Sequence, residues 1–219
     1  MVSSDAKQRM IRRVAREIET GMTVNLGIGL PTRVIDHVDH DLPVCLHSEN
    51  GIAGVGPSVA YDQADRNLID AGGSYVSIQP GTAFFDSAVS FALVRGGRLD
   101  LTVLGAFEVA MNGDLANWMI PGLFTPGVGG AMELAQKARR VVIMMTHCDK
   151  QGRSKIVREC RLPITASACV DRIYTDLAVI DIVAPDLILR EIAQGVSLDE
   201  VLAATEAPLQ VTDNELPTF

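Results

Sequence analysis

The residue best placed for chemistry is Glu49, within the segment His47-Ser48-Glu49-Asn50-Gly51-Ile52-Ala53-Gly54-Val55-Gly56-Pro57. The segment puts a carboxylate directly after an apolar stretch, and glycines follow at 51, 54 and 56. Glycine allows the backbone to approach a ligand closely, which would suit a reactive carboxylate. Turn chemistry alone favours a simpler interpretation, in which Asn50-Gly51 is a hairpin turn and Glu49 an exposed turn residue.

A second glycine-rich loop, Gly127-Val128-Gly129-Gly130, comes just before a predicted helix at residues 131–138. Backbone N–H groups at the start of a helix carry partial positive charge, which favours a bound carboxylate or a developing oxyanion. The alternative is a tight loop whose glycines only permit close packing of the helix. The two explanations are compatible, and both stay open on the residues alone.

Alternating strand and helix patterns are expected to position these loops. Apolar residues at helical spacing predict a first helix before Gly21, and residues 23–26 form a short apolar strand. Gly27-Ile28-Gly29 then ends that strand, and Pro31 suits the first turn of a following helix. Strand, glycine turn and helix together make a βα unit.

The same alternation continues along the chain and predicts the fold class. Further strands are expected at residues 44–47, 75–78, 100–104 and 141–145; the last is a continuous apolar run typical of a strand covered on both faces. The sequence therefore predicts an α/β fold, a single open, mainly parallel sheet domain flanked by helices. In such sheets, functional loops gather at the carboxyl ends of the strands.

The C-terminal third predicts an antiparallel addition to this sheet. Apolar stretches at residues 177–183 and 187–192 flank the turn signal Ala184-Pro185-Asp186, which predicts a hairpin. Ser197-Leu198-Asp199-Glu200 is a capping box that should open a helix extending to Ala204. We assign residues 1–219 to one domain and expect residues 206–219 to form a frayed tail.

Composition excludes several classes of function. The formal net charge is -8 at pH 7, and no cluster of Lys and Arg offers the positive surface that nucleic acid binding needs. No apolar run approaches the ~18 residues of a membrane-spanning helix. The N-terminus lacks the apolar core of a signal peptide, so we expect a cytoplasmic protein with no nucleic acid or membrane partner.

The sequence offers no evident metal or dinucleotide site. Cys45, Cys148, Cys160 and Cys169 are scattered without a C-x-x-C pair, so we expect reduced thiols. His147 stands beside Cys148, but no second pair completes a metal site. The Gly27-Ile28-Gly29 turn does not complete G-x-G-x-x-G, because Thr32 occupies the third glycine position.

Several motifs, in the right order and over nearly the whole chain, resemble the B subunit, or C-terminal half, of family I CoA-transferases of the 3-oxoacid and 3-oxoadipate group. The string Ser48-Glu49-Asn50-Gly51 with Gly54-x-Gly56-Pro57 resembles the active-site signature of that family. The other matching motifs are Asn25-Leu26-Gly27-Ile28-Gly29-Leu30-Pro31-Thr32, Gly81-x-x-Phe84-Phe85, Arg95-Gly96-Gly97, Leu104-Gly105-Ala106-Phe107, Gly113-Asp114-Leu115-Ala116-Asn117-Trp118 and Gly129-Gly130-Ala131-Met132-Glu133-Leu134.

The resemblance implies a role for the glutamate and for the residues around it. It makes Glu49 the catalytic nucleophile, which attacks an acyl-CoA and passes through a covalent glutamyl-CoA thioester. It also places Gly129 and Gly130 against the glutamate. With these two glycines, Asn50 and Gly51 are expected to bind substrate or the oxyanion. Asp114, Asn117 and Trp118 match the family without a role that we can assign.

The resemblance further implies the substrates and the assembly. Coenzyme A would be a substrate, and no cofactor or metal is expected. Succinyl-CoA with acetoacetate or 3-oxoadipate would be the substrate pair, although acetate or butyrate users are close relatives. The A subunit of a CoA-transferase would be the partner, in an A2B2 hetero-oligomer.

Two other functions remain open at this point. The predicted sheet also resembles that of ribose-phosphate isomerase and related sugar-phosphate isomerases, in which a glycine loop holds phosphate and a carboxylate abstracts a proton. A non-catalytic, effector-binding module could be built on the same fold. Exchange of labelled CoA between two acids would separate the transferase from the isomerase, and tolerance of Glu49→Ala would indicate the module.

Overall fold

A ten-stranded sheet dominates the structure, a computed structural model that describes residues 2–39, 41–125, 127–212 and 215–219. The strands of this sheet are β1 Thr23–Leu26, β2 Cys45–Ser48, β3 Ile52–Ser58, β4 Val76–Phe84, β5 Leu101–Leu104, β8 Val141–Met144, β10 Arg172–Tyr174, β11 Ala178–Val183, β12 Asp186–Ile192 and β13 Leu209–Val211. Their order across the sheet is β13-β12-β11-β10-β8-β5-β1-β2-β3-β4.

The remaining elements cover or extend this sheet. Strands β6 Glu108–Ala110, β7 Leu115–Ala116 and β9 Ile156–Val157 form a second, three-stranded sheet. The α-helices are α1 Ser4–Ala15, α2 Ser87–Arg95, α3 Ala131–Lys137 and α4 Leu198–Ala204, and a 3-10 helix spans Leu30–His37.

The middle of the sheet is parallel, and antiparallel strands flank it on both sides, with β13 added in parallel at one edge. Strands β10, β8, β5, β1 and β2 run parallel as neighbours. The predicted α/β class and the predicted hairpin β11–β12 are confirmed. In the second antiparallel region, β2–β3–β4, only the turn at Asn50-Gly51 was expected from the sequence. The strand expected at residues 75–78 lies within β4, a half-exposed edge strand.

Two apolar cores lie on opposite faces of the sheet, which explains the continuous apolar run of β8. Because side chains alternate along a strand, Val141 and Ile143 join the core under α3 and α4. Val142 and Met144 join the core under α1 and the 3-10 helix. The strand is therefore covered on both sides, as its composition predicted.

The expectation of a frayed tail is wrong for the described residues beyond 206. Strand β13 pairs in parallel with β12, and Phe219 exchanges backbone hydrogen bonds with Ile192 and Gln194 at 3.2 and 2.9 Å. The chain end thus adds an edge strand and an anchored terminus to the sheet. Helix α4 begins with the predicted capping box at Ser197 and Glu200.

A buried ionic cluster ties α1 to the sheet. The Glu17 carboxylate, 8% exposed, accepts contacts from Arg13 at 2.9 Å, Arg140 at 2.6 Å and Arg172 at 3.3 Å. Burial opposes ionisation of Glu17, but a hydrogen bond with Tyr174 and the neighbouring arginines outweigh it, and the net pKa is lowered. Glu17 is therefore the shared anion that compensates the positive charges of the three arginines.

We predict that Glu17→Ala lowers the free energy of unfolding by ~3 kcal/mol, because it leaves partly buried guanidinium groups without their shared anion. Glu19→Ala, which removes an exposed glutamate two residues away, is the control and should change it by less than about 0.5 kcal/mol. Urea unfolding of both variants measures the difference. Similar small changes in both would contradict a structural role for the cluster.

Candidate active site

The carboxyl ends of three parallel strands, β1, β5 and β8, open into one cavity of about 610 Å³. This is the edge of an open α/β sheet where ligands bind. Glycine loops and apolar side chains form most of its wall. The residues that line it include Asn25, Gly27, Ile28, Pro31, Glu49, Ala71, Leu104, Gly105, Phe107, Asn117, Phe124, Gly127, Gly129, Gly130, Leu134, Met144, Thr146 and Lys155.

Glu49 lies in the tight turn that joins antiparallel strands β2 and β3, where Ser48 pairs with Ile52. The hairpin expected from Asn50-Gly51 therefore forms. Its carboxylate does not point away into solvent, however, because Glu49 is half-buried and lines the cavity. The hairpin turn of the simpler interpretation is confirmed, but its exposed Glu49 is not, and the hairpin instead presents the carboxylate to the cavity.

Gly130 lies against the Glu49 carboxylate so closely that an added side chain would have to displace it. A Cβ atom at position 130 would stand 2.6 Å from Glu49 Oε2 and 2.7 Å from Phe91 Cζ. Burial raises the pKa of Glu49, while the Gly130 backbone N–H, which interacts with the carboxylate, lowers it. The net direction is upward, so this carboxylate is more basic than an exposed glutamate.

The other predicted site residues occupy different environments. Asn50 is exposed, and its side-chain amide donates to the Ile69 carbonyl oxygen at 2.8 Å. The Gly51 N–H donates to the Ser48 carbonyl oxygen, and its own carbonyl oxygen accepts from the Phe85 N–H. Binding of substrate by Asn50 and Gly51 stays a prediction, which these engaged groups do not favour.

Gly129 lies in the cavity wall in the left-handed backbone region, with φ of 55°. A Cβ atom there would meet nothing within 4 Å, so packing does not require glycine at this position. The left-handed turn directs the chain from the cavity wall into α3. Gly129 is thus explained by backbone conformation, and its predicted contact with substrate stays a prediction.

Tight packing against β4 explains the glycines of β3. A Cβ atom at Gly54 would stand 2.7 Å from Thr82 Oγ1, and one at Gly56 would overlap Ser77 Oγ. At Gly51 an added Cβ would overlap the Phe85 carbonyl oxygen. These three glycines let strand β4 lie close over the hairpin that carries the nucleophile candidate.

A buried polar network supports the hairpin from below. His47 Nε2 lies 2.8 Å from Ser90 Oγ, and the Asn25 side-chain amide donates to the His47 carbonyl oxygen at 3.2 Å. Thr102 Oγ1 donates to Asn25 Oδ1 at 3.2 Å. Burial lowers the pKa of His47 to about 4, so the ring is neutral at pH 7 and serves to fix strand positions.

The structure gives Asp114 and Asn117 different roles. The Asp114 carboxylate accepts from the Ala168 N–H at 2.8 Å and shapes a turn. Asn117 lines the cavity, where its amide nitrogen donates to the Gly105 carbonyl oxygen at 3.1 Å and its oxygen accepts from Thr165. Sequence reasoning missed this positioning role of Asn117, and it missed Lys155 altogether.

Neither a metal cluster nor a membrane span is found in the described part of the chain. Within those residues, no three His, Cys, Asp or Glu side chains gather as metal ligands would. His147 instead places its two ring nitrogens 2.9 Å from Thr175 and Thr205 hydroxyls. None of the helices among the described residues is both long and apolar enough to span a bilayer.

Fold, cavity and carboxylate together describe an α/β protein with a ligand site at the carboxyl ends of its parallel strands, and comparison with known proteins gives its family. Residues 7–204 match the coenzyme A transferase family. The chain belongs to that family, as the motifs around Glu49 and Gly130 predicted.

Relatives of similar length are named after different acid substrates. The chain is 48% identical over 205 residues to the B subunit of 3-oxoadipate CoA-transferase of Pseudomonas putida, covering 93% of this chain and 96% of the relative. It is 47% identical over 207 residues to the beta subunit of acetate CoA-transferase of Escherichia coli, covering 94% of each chain. It is 46% identical over 212 residues to the B subunit of a probable succinyl-CoA:3-ketoacid coenzyme A transferase of Bacillus subtilis, covering 97% and 98%.

Solved structures support the fold. The acyl-CoA transferase YdiF apoenzyme of E. coli O157:H7 aligns with a TM-score of 0.77 at 22% identity, over 97% of this chain and 43% of that longer one. The decarboxylase AibA/AibB aligns with a TM-score of 0.70 at 19% identity, over 97% and 88%. Because the fold also occurs in a decarboxylase, the reaction must be argued from the residues of the site.

We predict that Gly130→Ala lowers turnover ~100-fold, because the new methyl group must displace the Glu49 carboxylate, and misplacement by about 1 Å has that effect. Gly96→Ala is the matched variant, because it adds the same methyl group outside the cavity wall, at a residue with φ of -75°. Steady-state turnover and thermal unfolding of both proteins should be compared. Normal turnover in a folded Gly130→Ala protein would show that the close approach has no role in activity.

Proposed function

We propose that this chain is the glutamate-bearing subunit of an enzyme that transfers coenzyme A between an acyl-CoA and a carboxylic acid, with Glu49 as the nucleophile. The observation that carries the proposal is the position of Glu49, half-buried in the cavity with Gly130 directly against its carboxylate. Membership of the coenzyme A transferase family supports the same reaction. The proposed reaction needs no prosthetic group, since coenzyme A is itself a substrate.

The reaction proceeds through covalent intermediates. The Glu49 carboxylate attacks the thioester carbonyl, and the C–S bond breaks to give a mixed anhydride and CoA thiolate. The thiolate attacks the glutamyl carbonyl of the anhydride, which releases the first acid and leaves a glutamyl-CoA thioester. The second acid attacks that thioester and regenerates thiolate and anhydride. Thiolate attack on the acyl carbonyl then yields the new acyl-CoA and free Glu49.

The environment of Glu49 suits both halves of this cycle. Burial raises the pKa of the carboxylate and so its basicity, which favours attack. The Gly130 N–H could stabilise the oxyanion that develops when the glutamyl carbonyl is attacked. Glycine adds no side chain that would compete as a nucleophile. The backbone N–H of Gly130 is thus placed to interact with the carboxylate of free Glu49 and with the glutamyl carbonyl oxygen of the intermediates.

We propose that the acid substrates belong to the 3-oxoacid class and that succinyl-CoA is the CoA donor. Relatives named for succinyl-CoA:3-ketoacid and for 3-oxoadipate transfer support it. A relative of similar identity is named for acetate, so short monocarboxylates should be tested as acid substrates as well. We place the enzyme in the cytoplasm, in line with the expectation from the sequence.

The A subunit of a CoA-transferase is the proposed partner, in an A2B2 assembly, since several relatives are named as the B subunit. Large apolar side chains at the cavity support docking there: Ile28 is 63% and Phe124 is 51% exposed, and Leu123, beside Phe124, is 80% exposed. Such side chains around a site indicate a surface that another protein covers.

We predict that incubation of the complex with the A subunit with acyl-CoA and no acceptor acid leaves a glutamyl-CoA thioester on Glu49, because the cycle then stops at that intermediate. Borohydride reduction converts the thioester to an alcohol, and peptide mass analysis should find the change on the peptide containing Ser48-Glu49-Asn50. Glu49→Gln should lose nearly all exchange of labelled CoA between two acids.

Glu133→Gln is the control for this experiment, because it removes a carboxylate on α3 that pairs with Arg95 outside the cavity wall. Its exchange rate should stay near that of the wild type. Wild-type exchange by Glu49→Gln, or a label on another peptide, would refute Glu49 as nucleophile. Full activity of Glu49→Ala would indicate the non-catalytic module.

We predict that the purified chain alone shows less than about 1% of the exchange rate of its complex with the A subunit, because the partner should supply much of the CoA site. The measurement is a titration of the chain with its partner under saturating substrates. A rate that does not change when the partner is added would contradict the proposed assembly.

A further inference from the structure

Two of the described residues in the cavity wall carry a charged side chain, Glu49 and Lys155. The proposed reaction uses Glu49, but it gives Lys155 no role. The polar side chains of the wall are already hydrogen-bonded within the protein. Asn25 is bonded to His47 and Thr102. Asn117 is bonded to Gly105 and Thr165. Lys155 is therefore the cationic group that the described wall of the cavity offers to a ligand.

The backbone holds Lys155 at a fixed place beside the end of β8. Its N–H donates to the His147 carbonyl oxygen at 3.0 Å, and its carbonyl oxygen accepts from the Val109 N–H at 2.9 Å. These bonds join the end of β8 to strand β6 of the small sheet. Lys155 thus stands on a rigid support, where side chains can be positioned accurately for recognition.

The ammonium group has nearby carboxylates but, among the described residues, no ion pair with them. Asp149 pairs with Arg153 at 2.7 Å, and Asp176 accepts from the His147 N–H at 2.7 Å. Burial lowers the pKa of Lys155 to about 8, and Asp176, Asp149 and Cys148 oppose that shift. A mainly apolar cavity is a costly place for an unpaired ammonium, unless an anion binds beside it.

We propose that Lys155 binds the carboxylate at the far end of a dicarboxylic acid substrate, while Glu49 reacts with the near end. The inference rests on the proposed function and deepens it, because it makes the site selective for acids with two negative charges. Lys155 is a specificity-determining residue in this scheme, and it takes no part in making or breaking bonds.

Strand spacing supports the arrangement. Strand β2 leads into Glu49, and Lys155 is hydrogen-bonded to His147, three residues beyond the end of β8; β1 and β5 separate β2 from β8. Three spacings of ~4.8 Å put these strands about 14 Å apart, and the long side chains of Glu49 and Lys155 shorten the gap that a substrate must bridge. An acid with charges at both ends fits such a gap better than acetate does.

The test compares acid acceptors in the complex with the A subunit, using succinate and 3-oxoadipate against acetate and butyrate. Lys155→Met keeps a long, unbranched side chain without the charge. We expect kcat/KM for the dicarboxylates to fall at least about 10-fold, mainly through a raised KM, since a hydrogen bond between charged groups is lost. Values for the monocarboxylates should change less than about 2-fold.

Lys150→Met is the matched control, because it removes an exposed lysine five residues earlier and outside the cavity wall. It should leave all four acids unaffected. An equal fall for all acids in Lys155→Met, or no fall for any, would overturn the role of Lys155. Absence of exchange with every acid in the wild-type complex would instead overturn the proposed function.

A pH profile of the wild-type complex gives a second test that needs no variant. The ammonium is charged below its pKa of about 8, so KM for succinate should be low there and rise as the pH passes above 8. Asp176, Asp149 and Cys148 are the other titratable groups that act on the ammonium, and burial raises the pKa of the Cys148 thiol. KM for butyrate should not follow that rise, and a parallel rise for both acids would count against the proposal.

Discussion

The site depends on keeping one carboxylate away from bulk water without neutralising it. Glu49 meets this requirement because Gly130 has no side chain, so that the carboxylate lies where a methyl group would otherwise stand and interacts with the Gly130 N–H. Burial and the N–H act in opposite directions on the pKa of Glu49, and the result is a basic but accessible carboxylate. Each neighbouring element serves to keep these two residues in contact.

The supports come from distant parts of the chain. The hairpin that carries Glu49 is held from below by His47 and Ser90 and from the side by Asn50 and the Ile69 carbonyl group. Gly130 is held by α3, whose Leu134 is part of the core on one face of the sheet. Packing on the faces of the sheet thus determines where the carboxylate lies.

Local signals in the sequence were enough for the parallel strands, because the apolar run at 141–145 and the glycine turn after β1 predicted a parallel sheet. They were not enough for Glu49, which turn chemistry alone made an exposed residue and which only the resemblance of Ser48-Glu49-Asn50-Gly51 to a family signature singled out. The pairing of residues 209–211 with β12 was missed, because parallel pairing depends on partners distant in sequence. Lys155 was missed for a similar reason: its place in the cavity depends on bonds to His147 and Val109, which no local pattern reveals.

The closeness of β4 to the hairpin has a consequence for mutational scanning. At Gly54 and Gly56 an added side chain would collide with β4, and at Gly51 it would collide with Phe85, directly after β4, so replacements there should lower activity by destabilising the fold around Glu49. A scan read by activity alone would therefore report a broad catalytic motif where the chemistry occupies one position. Measuring protein abundance alongside activity would separate the two groups, because loss of β4 exposes apolar surface and marks the chain for degradation, whereas loss of the carboxylate does not.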